Sequence, residues 1–152
     1  MNILSYVGIE GLPFGSHTSE ATAMLGQPLG RGERRDGALE LEYPGIIIRF
    51  DKQEHRFIEV TAIPCNNATL TINDIPLTWN DDFLKTMCVK DGDPMTSVGF
   101  VFLFRLGMML SGFSPIEPEQ FGVTLFCRQD LEYVRKTATP FVLGSPLRNP
   151  TA

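Results

Sequence analysis

Apolar and polar positions alternate along much of this chain, and the period changes where helices are expected. Leu39-Glu40-Leu41-Glu42 alternates strictly, the mark of a strand with one exposed face. Ile46 to Phe50 is rich in β-branched residues, Phe57 to Ile63 resembles it, and the polar residues Asp51 to His55 read as the hairpin turn between them. Ala21, Met24 and Leu25 fall at i, i+3 and i+4, the stripe of a helix of about two turns. Ser16 or Thr18 stands where an N-cap is needed, and Gly26 with Pro28 stops the helix. Ile9 to Phe14 reads as one short extended piece, and Leu29 to Gly37 as a loop.

The later part of the chain follows a similar plan. Phe83, Leu84, Met87 and Cys88 make the apolar face of a second helix, capped by Asn80 or Asp81 and ended by Asp91-Gly92-Asp93-Pro94. Val98 to Phe104, Met108 to Phe113 and Phe121 to Cys127 follow as strands. Leu106 to Leu110 has a helical alternative, because Leu and Met favour helices. Leu131 to Arg135 is a last strand or short helix, and Pro146 to Ala152 a loose tail.

Laid on itself, the sequence shows an internal correspondence. Ile9-Glu10-Gly11-Leu12-Pro13-Phe14 aligns with Ile72-Asn73-Asp74-Ile75-Pro76-Leu77, an offset of 63 (72 − 9) that also carries Met24 onto Met87 and Leu25 onto Cys88. Arg56 to Thr61 matches Gln120 to Leu125 at an offset of 64. The fold expected is α+β, with two tandem β-α-β-β-β halves, each a short helix on an antiparallel sheet. Residues 1–66 form the first half, 67–145 the second and 146–152 the tail, with both halves in one compact body.

Composition narrows the function classes. The 152 residues are 43% hydrophobic with eleven Phe, enough to build a core without a metal or disulfide staple. The formal net charge of -5 argues against general nucleic-acid binding, which needs clustered cations. Cys65, Cys88 and Cys127 are widely spaced without a CxxC pair, so reduced core thiols in a cytoplasmic protein are expected. The N-terminus lacks the basic start and apolar stretch of a secretory signal, and the apolar run Val98 to Leu110 is short for a bilayer and interrupted by Arg105.

Catalytic and metal motifs are missing from the sequence, and no cofactor is expected. No HExxH, GxSxG, P-loop or dinucleotide fingerprint occurs. His17 and His55 sit in expected loops, and Ser16 beside His17 makes no dyad because chain neighbours rarely face each other. Arg31, Arg34 and Arg35 read as a solvated turn, Asp81-Asp82 as charges at a helix N-terminus, and Asp91-Gly92-Asp93 as a turn.

Strand alternation places Ile46, Ile48 and Phe50 on one face, and Arg49 on the other with Glu40, Glu42 and Glu59, an open charged face. Phe100, Phe102 and Phe104 alternate with Val101 and Leu103, so the second sheet is apolar on both faces and needs a cover, from the other half or from a second copy as a homodimer. Leu12-Pro13-Phe14-Gly15, a Thr/Ser/Glu helix start and Leu25-Gly26-Gln27-Pro28 are similar to openings in the tandem repeats of β-lactamase-inhibitor-like and outer-membrane-assembly-lipoprotein-like folds. The chain also resembles small bacterial toxin-immunity proteins. The resemblance covers about twenty residues in each half and implies a non-enzymatic cytoplasmic protein that occludes a toxin partner. Glu40, Glu42, Arg49 and Glu59 are the expected contacts. The alternatives are a ligand-binding domain or enzyme with a pocket between the halves, and a self-associating subunit.

Overall fold

A computed structural model of the chain describes residues 1–66, 68–127 and 132–143, with Glu132 and Tyr133 described by their backbone alone. Three short strands open it: β1 (Asn2–Leu4), β2 (Gly8–Ile9) and β3 (Leu12–Pro13). Helix α1 (Thr18–Leu25) is followed by β4 (Gly30–Glu33), β5 (Leu39–Tyr43), β6 (Ile46–Phe50) and β7 (Phe57–Ala62). A second hairpin, β8 (Thr71–Ile72) and β9 (Ile75–Pro76), precedes α2 (Asp81–Asp91). Then come β10 (Met95–Ser97), β11 (Phe100–Leu103), β12 (Met108–Ser111), β13 (Gly122–Phe126), the single-turn α3 (Glu132–Arg135) and β14 (Thr139–Pro140). The class is α+β.

Two sheets hold these strands. A nine-stranded antiparallel sheet runs β14-β10-β11-β12-β13-β7-β6-β5-β4. At its centre β13 pairs with β7, and Thr124 stands opposite Thr61. The smaller mixed sheet runs β3-β2-β1-β8-β9, with β1 parallel to β8. Polar side chains stitch that parallel joint. The Asn2 carboxamide donates to Asp74 Oδ1 at 2.9 Å and accepts from Thr71 Oγ1 at 2.7 Å, while Asn73 Oδ1 accepts from the Ser5 N–H at 2.9 Å. Asn73 and Asp74 both have positive φ, which suits the tight turn of the β8–β9 hairpin.

One continuous core lies between the large sheet and a layer made of both helices and the small sheet. Ile46, Ile48, Phe50, Val60, Ala62, Val123 and Leu125 line it from the large sheet; Ile3, Ile9 and Ile72 from the small one; Ala21, Phe83, Met87 and Cys88 from the helices. Asn80 caps α2 through its Oδ1, 3.1 Å from the Phe83 N–H, and Gly92 closes the helix in the left-handed region. Asp91, the last helical residue, is buried; its carboxylate accepts from the backbone N–H of Leu106 at 3.1 Å and of Asp93 at 3.2 Å. The end of α2 is thereby tied to the β11–β12 turn. No helix among the described residues is long and apolar enough to cross a membrane.

Several expectations are corrected. The helix cap is His17, whose Nδ1 accepts from the Ser19 N–H in a capping box with Glu20; Ser16 Oγ instead donates to the Pro13 carbonyl at 2.6 Å. Ile9 to Phe14 is a hairpin, not one extended piece, and β1 adds a strand before it. The expected loop Leu29 to Gly37 contains β4, and β10 precedes the strand expected from Val98. Both missed strands lack apolar alternation and are held by pairing with β5 and β11. Val98 and Gly99 form the two-residue turn between β10 and β11, closed by the Ser97–Phe100 pair. Other expectations hold: Leu106 to Leu110 is turn and strand, with the strand from Met108 as expected, and α3 is the helical one of the two forms expected there. Leu131 and the expected tail, Pro146 to Ala152, lie outside the described residues.

The aromatic face of β11 to β13 is covered partly by the first half, as one expected alternative had it, and partly by the chain's own later segment. Phe102, Phe104 and Phe126 form a buried cluster with Met109, Tyr6, Val134 and Ala138, so the β1–β2 turn and the α3 segment of the same chain lie over it. Phe102 and Phe104 stack at 5.5 Å, the Arg135 guanidinium sits 5.2 Å above the Phe104 ring, and the Tyr6 hydroxyl donates to the Phe104 carbonyl.

Two predictions follow from these local features. Val98, β-branched and 62% exposed, has φ 47° in a turn that favours Asn or Gly. Val98→Asn should raise unfolding stability by about 1 kcal/mol, read by urea titration; a loss would show that the turn needs Val98. The second concerns Cys88, whose thiol is pushed up from 9.0 to about 11 by burial and, to a lesser extent, by the Asp91 charge. The unfolded chain gives up this proton at lower pH than the folded chain does. The stability involved is complete below pH 9 and is lost as pH rises through about 11. Cys88→Ala should therefore show a flatter stability profile in that window, by up to roughly 2 kcal/mol, and parallel profiles would refute the assignment.

Candidate functional site

Among the described residues, no element lies over the outer face of β4 to β7. The geometry of that face follows from the strand register, because directly opposed residues in an antiparallel pair project to the same side. One row across the sheet reads Gly32, Glu40, Arg49, Glu59 and Phe126. The next reads Gly30, Glu42, Ile47, Thr61, Thr124, Met109 and Phe102. The first row changes from charged to aromatic character where β7 meets β13, and the second from Thr124 on β13 to Met109 and Phe102 one strand further on.

Arg49 is the hub of the charged part. Its Nε donates to Glu40 Oε1 at 3.1 Å, and its Nη1 donates to Glu59 Oε2 and to Thr61 Oγ1, each at 2.7 Å. Thr61 Oγ1 in turn lies 2.8 Å from Thr124 Oγ1. Arg34, at the end of β4, reaches over to the same two carboxylates, 3.3 Å from Glu59 and 3.9 Å from Glu40. The side chains of Arg49, Glu59 and Glu40 are 16%, 14% and 22% exposed, so water screens these pairs only in part. Arg34 also lies 4.0 Å from the exposed Asp36, so two arginines stand among three carboxylates.

Of the four residues expected to make contacts, Glu40, Arg49 and Glu59 are thus joined in one network. Glu42 stands in the next row, exposed, over Gly30, where an added Cβ would come within 3.1 Å of its carboxylate. Arg34, Thr61 and Thr124 were not singled out for this face. Arg34 was grouped with Arg31 and Arg35 in a turn; only the pairing of β4 with β5 turns it onto the face. Period-2 alternation places Thr61 and Thr124 on a side, but their contact depends on the β7–β13 register.

Elsewhere the chemistry is sparse. The two histidine rings are brought within 6.4 Å by the bridge between His17 and Arg56. Among the described residues no group of three or more His, Cys, Asp or Glu is placed to hold a metal ion. Two open grooves of about 290 and 310 Å³ lie at the N-terminal end of α2, against Phe113 and Ile116, and beside the β5–β6 turn, against Leu29, Ile63 and Cys65. Neither is lined by His17 or His55. No known protein family, characterised protein or solved structure matches the chain.

Removing Arg49 leaves two half-buried carboxylates with only the more exposed Arg34 to share. Arg49→Met should destabilise the fold by about 1–3 kcal/mol, and Arg49→Lys by less, since an ammonium cannot reproduce the guanidinium fork. Glu42→Ala, outside the network, should change stability by under about 0.5 kcal/mol. Urea titrations of the three variants check this, and an unaffected Arg49→Met would mean that the network contributes nothing.

Proposed function

We propose that the chain is a non-enzymatic protein-binding module of the toxin-immunity kind, built as a duplicated scaffold that docks a partner on the open face of β4 to β7. The duplication is supported by the order of elements: a short hairpin, a helix and four antiparallel strands, twice over, two strands more per half than the β-α-β-β-β plan. The register agrees with the offset of the hairpins and helices, one short of the 64 that aligns Arg56 to Thr61 with Gln120 to Leu125. Thr61 pairs with Thr124, 63 positions on (124 − 61), the same offset that aligns the two hairpins and the two helices in the sequence. A local two-fold normal to the sheet at this pair would relate the halves and put both helices on one side.

The observation that carries the binding role is the contrast across the outer face. The β11 to β13 part is aromatic and covered by the chain itself, whereas the β4 to β7 part presents Glu40, Glu42, Ile47, Arg49 and Glu59 with no described element above it. The charged network holds several donors and acceptors in place before any partner arrives, which lowers the entropy cost of docking. A cytoplasmic location and a toxin as partner belong to the same proposal and rest on the resemblance and on the acidic charge.

The test is co-purification with the product of the adjacent gene, followed by inhibition of that product's activity. Alanine at Glu40, Glu42, Arg49 or Glu59 should weaken a confirmed complex. Glu42→Lys is the cleanest probe, because Glu42 stands outside the network; it should slow association about tenfold or more at low salt. A complex indifferent to all of these changes would move the docking site off this face.

A further inference from the structure

The nine-stranded sheet ends at β4, a four-residue strand of Gly30, Arg31, Gly32 and Glu33 that is exposed from Arg31 onward. On its inner side, the Arg34 N–H donates to the Ala38 carbonyl at 2.9 Å, and the Leu29 N–H to the Glu42 carbonyl at 2.7 Å. Bonded and non-bonded pairs alternate in an antiparallel ladder. The main-chain groups of Gly30 and Gly32 therefore turn toward β5, and those of Arg31 and Glu33 turn outward. An edge of this kind is a template for another strand.

We propose that β4 pairs with β4 of a second copy of the chain, antiparallel and centred on Gly32, continuing the sheet across a two-fold axis. The charge pattern selects this occupant and this register. Centred on Gly32, Arg31 of each copy stands opposite Glu33 of the other, giving two bonded pairs, four main-chain hydrogen bonds and two opposite-charge contacts. Slipping by two residues in one direction sets Arg31 against Arg31, and in the other Glu33 against Glu33; both registers are repulsive. On the outer face the approach is unobstructed, because a Cβ at Gly32 would meet nothing within 4 Å and the Arg34 side chain is drawn toward Glu59 and Glu40.

Strands paired this way keep the same face outward, so two open faces lie side by side and the dimer becomes a bivalent docking surface. The edge pairing does not depend on the partner proposed above, since Arg31 and Glu33 take no part in the Arg49 network. A four-residue edge falls well below the roughly 1,000 Å² buried in stable complexes, so association is weak and reversible.

Sedimentation equilibrium from about 10 μM to about 1 mM should show monomer giving way to dimer, a range suited to so small an interface. Arg31→Glu alone and Glu33→Arg alone should each be monomeric throughout, because either change sets like charges against each other. Mixing the two variants should restore a dimer, as should the double exchange in one chain. Two outcomes would overturn the proposal: a wild-type chain monomeric across the whole range, or a dimer that ignores these exchanges. Unfolding curves for each variant separate loss of pairing from loss of fold, and β4's exposure predicts little change in them.

Discussion

Where β7 meets β13, Thr61 stands opposite Thr124, and the two hydroxyls share a hydrogen bond of 2.8 Å. This pairing decides most of what the molecule can be. Opposed residues in an antiparallel pair project to the same side, so Val60 and Ala62 share a face with Leu125 and Val123. Helices α1 and α2 consequently cover one continuous apolar surface. Without the pair, the sheet would divide into two smaller pieces, each with another open edge and a core too thin to offset its chain entropy. The same pairing carries Arg49, through Thr61, into hydrogen-bond contact with β13.

The parts of the fold legible in the sequence are those whose side chains declare a face. Ile46 to Phe50, Leu39 to Tyr43 and the Phe83-Leu84-Met87-Cys88 stripe lie where periodicity puts them. What escaped is held by pairing or by competition between neighbours. Gly30-Arg31-Gly32-Glu33 and Met95-Thr96-Ser97 carry no apolar alternation and become strands only because β5 and β11 offer partners. Three adjacent residues could have capped α1, and the choice fell to His17 because Ser16 Oγ is engaged by the Pro13 carbonyl, a contact no spacing rule reveals. Likewise, alternation showed that the β11 to β13 face is apolar, but not that Tyr6, Val134 and Ala138 would lie over it.

The candidate site divides in the same way. Alternation alone puts Glu40, Glu42, Arg49 and Glu59 on one side of the sheet. Which of them touch is a matter of register: Glu40, Arg49 and Glu59 fall in one row, Glu42 in the next. Arg34 joins them from a segment without a pattern, through a long side chain that reaches Glu40 and Glu59. Its contribution could not be read before the edge strand was known.

If a partner docks there as proposed, that arrangement limits how it can use the face. Arg49, Glu40 and Glu59 already satisfy one another, and covering them removes water from ion pairs whose attraction then has to offset the desolvation of each charge. A partner gains little by competing for these groups and loses if it leaves one without its counter-charge. The favourable contacts are those still facing solvent: the exposed Glu42 carboxylate, the half-buried Ile47 beside it, and the edge of the Arg34 guanidinium, whose side chain is 43% exposed. On the proposed docking role, the network would act as a rigid template that fixes where those groups stand, and the rim would set the rate at which an oppositely charged partner arrives. Specificity would come from fitting the alternating charges, because a partner with one sign reversed would bury a like pair against low-dielectric neighbours.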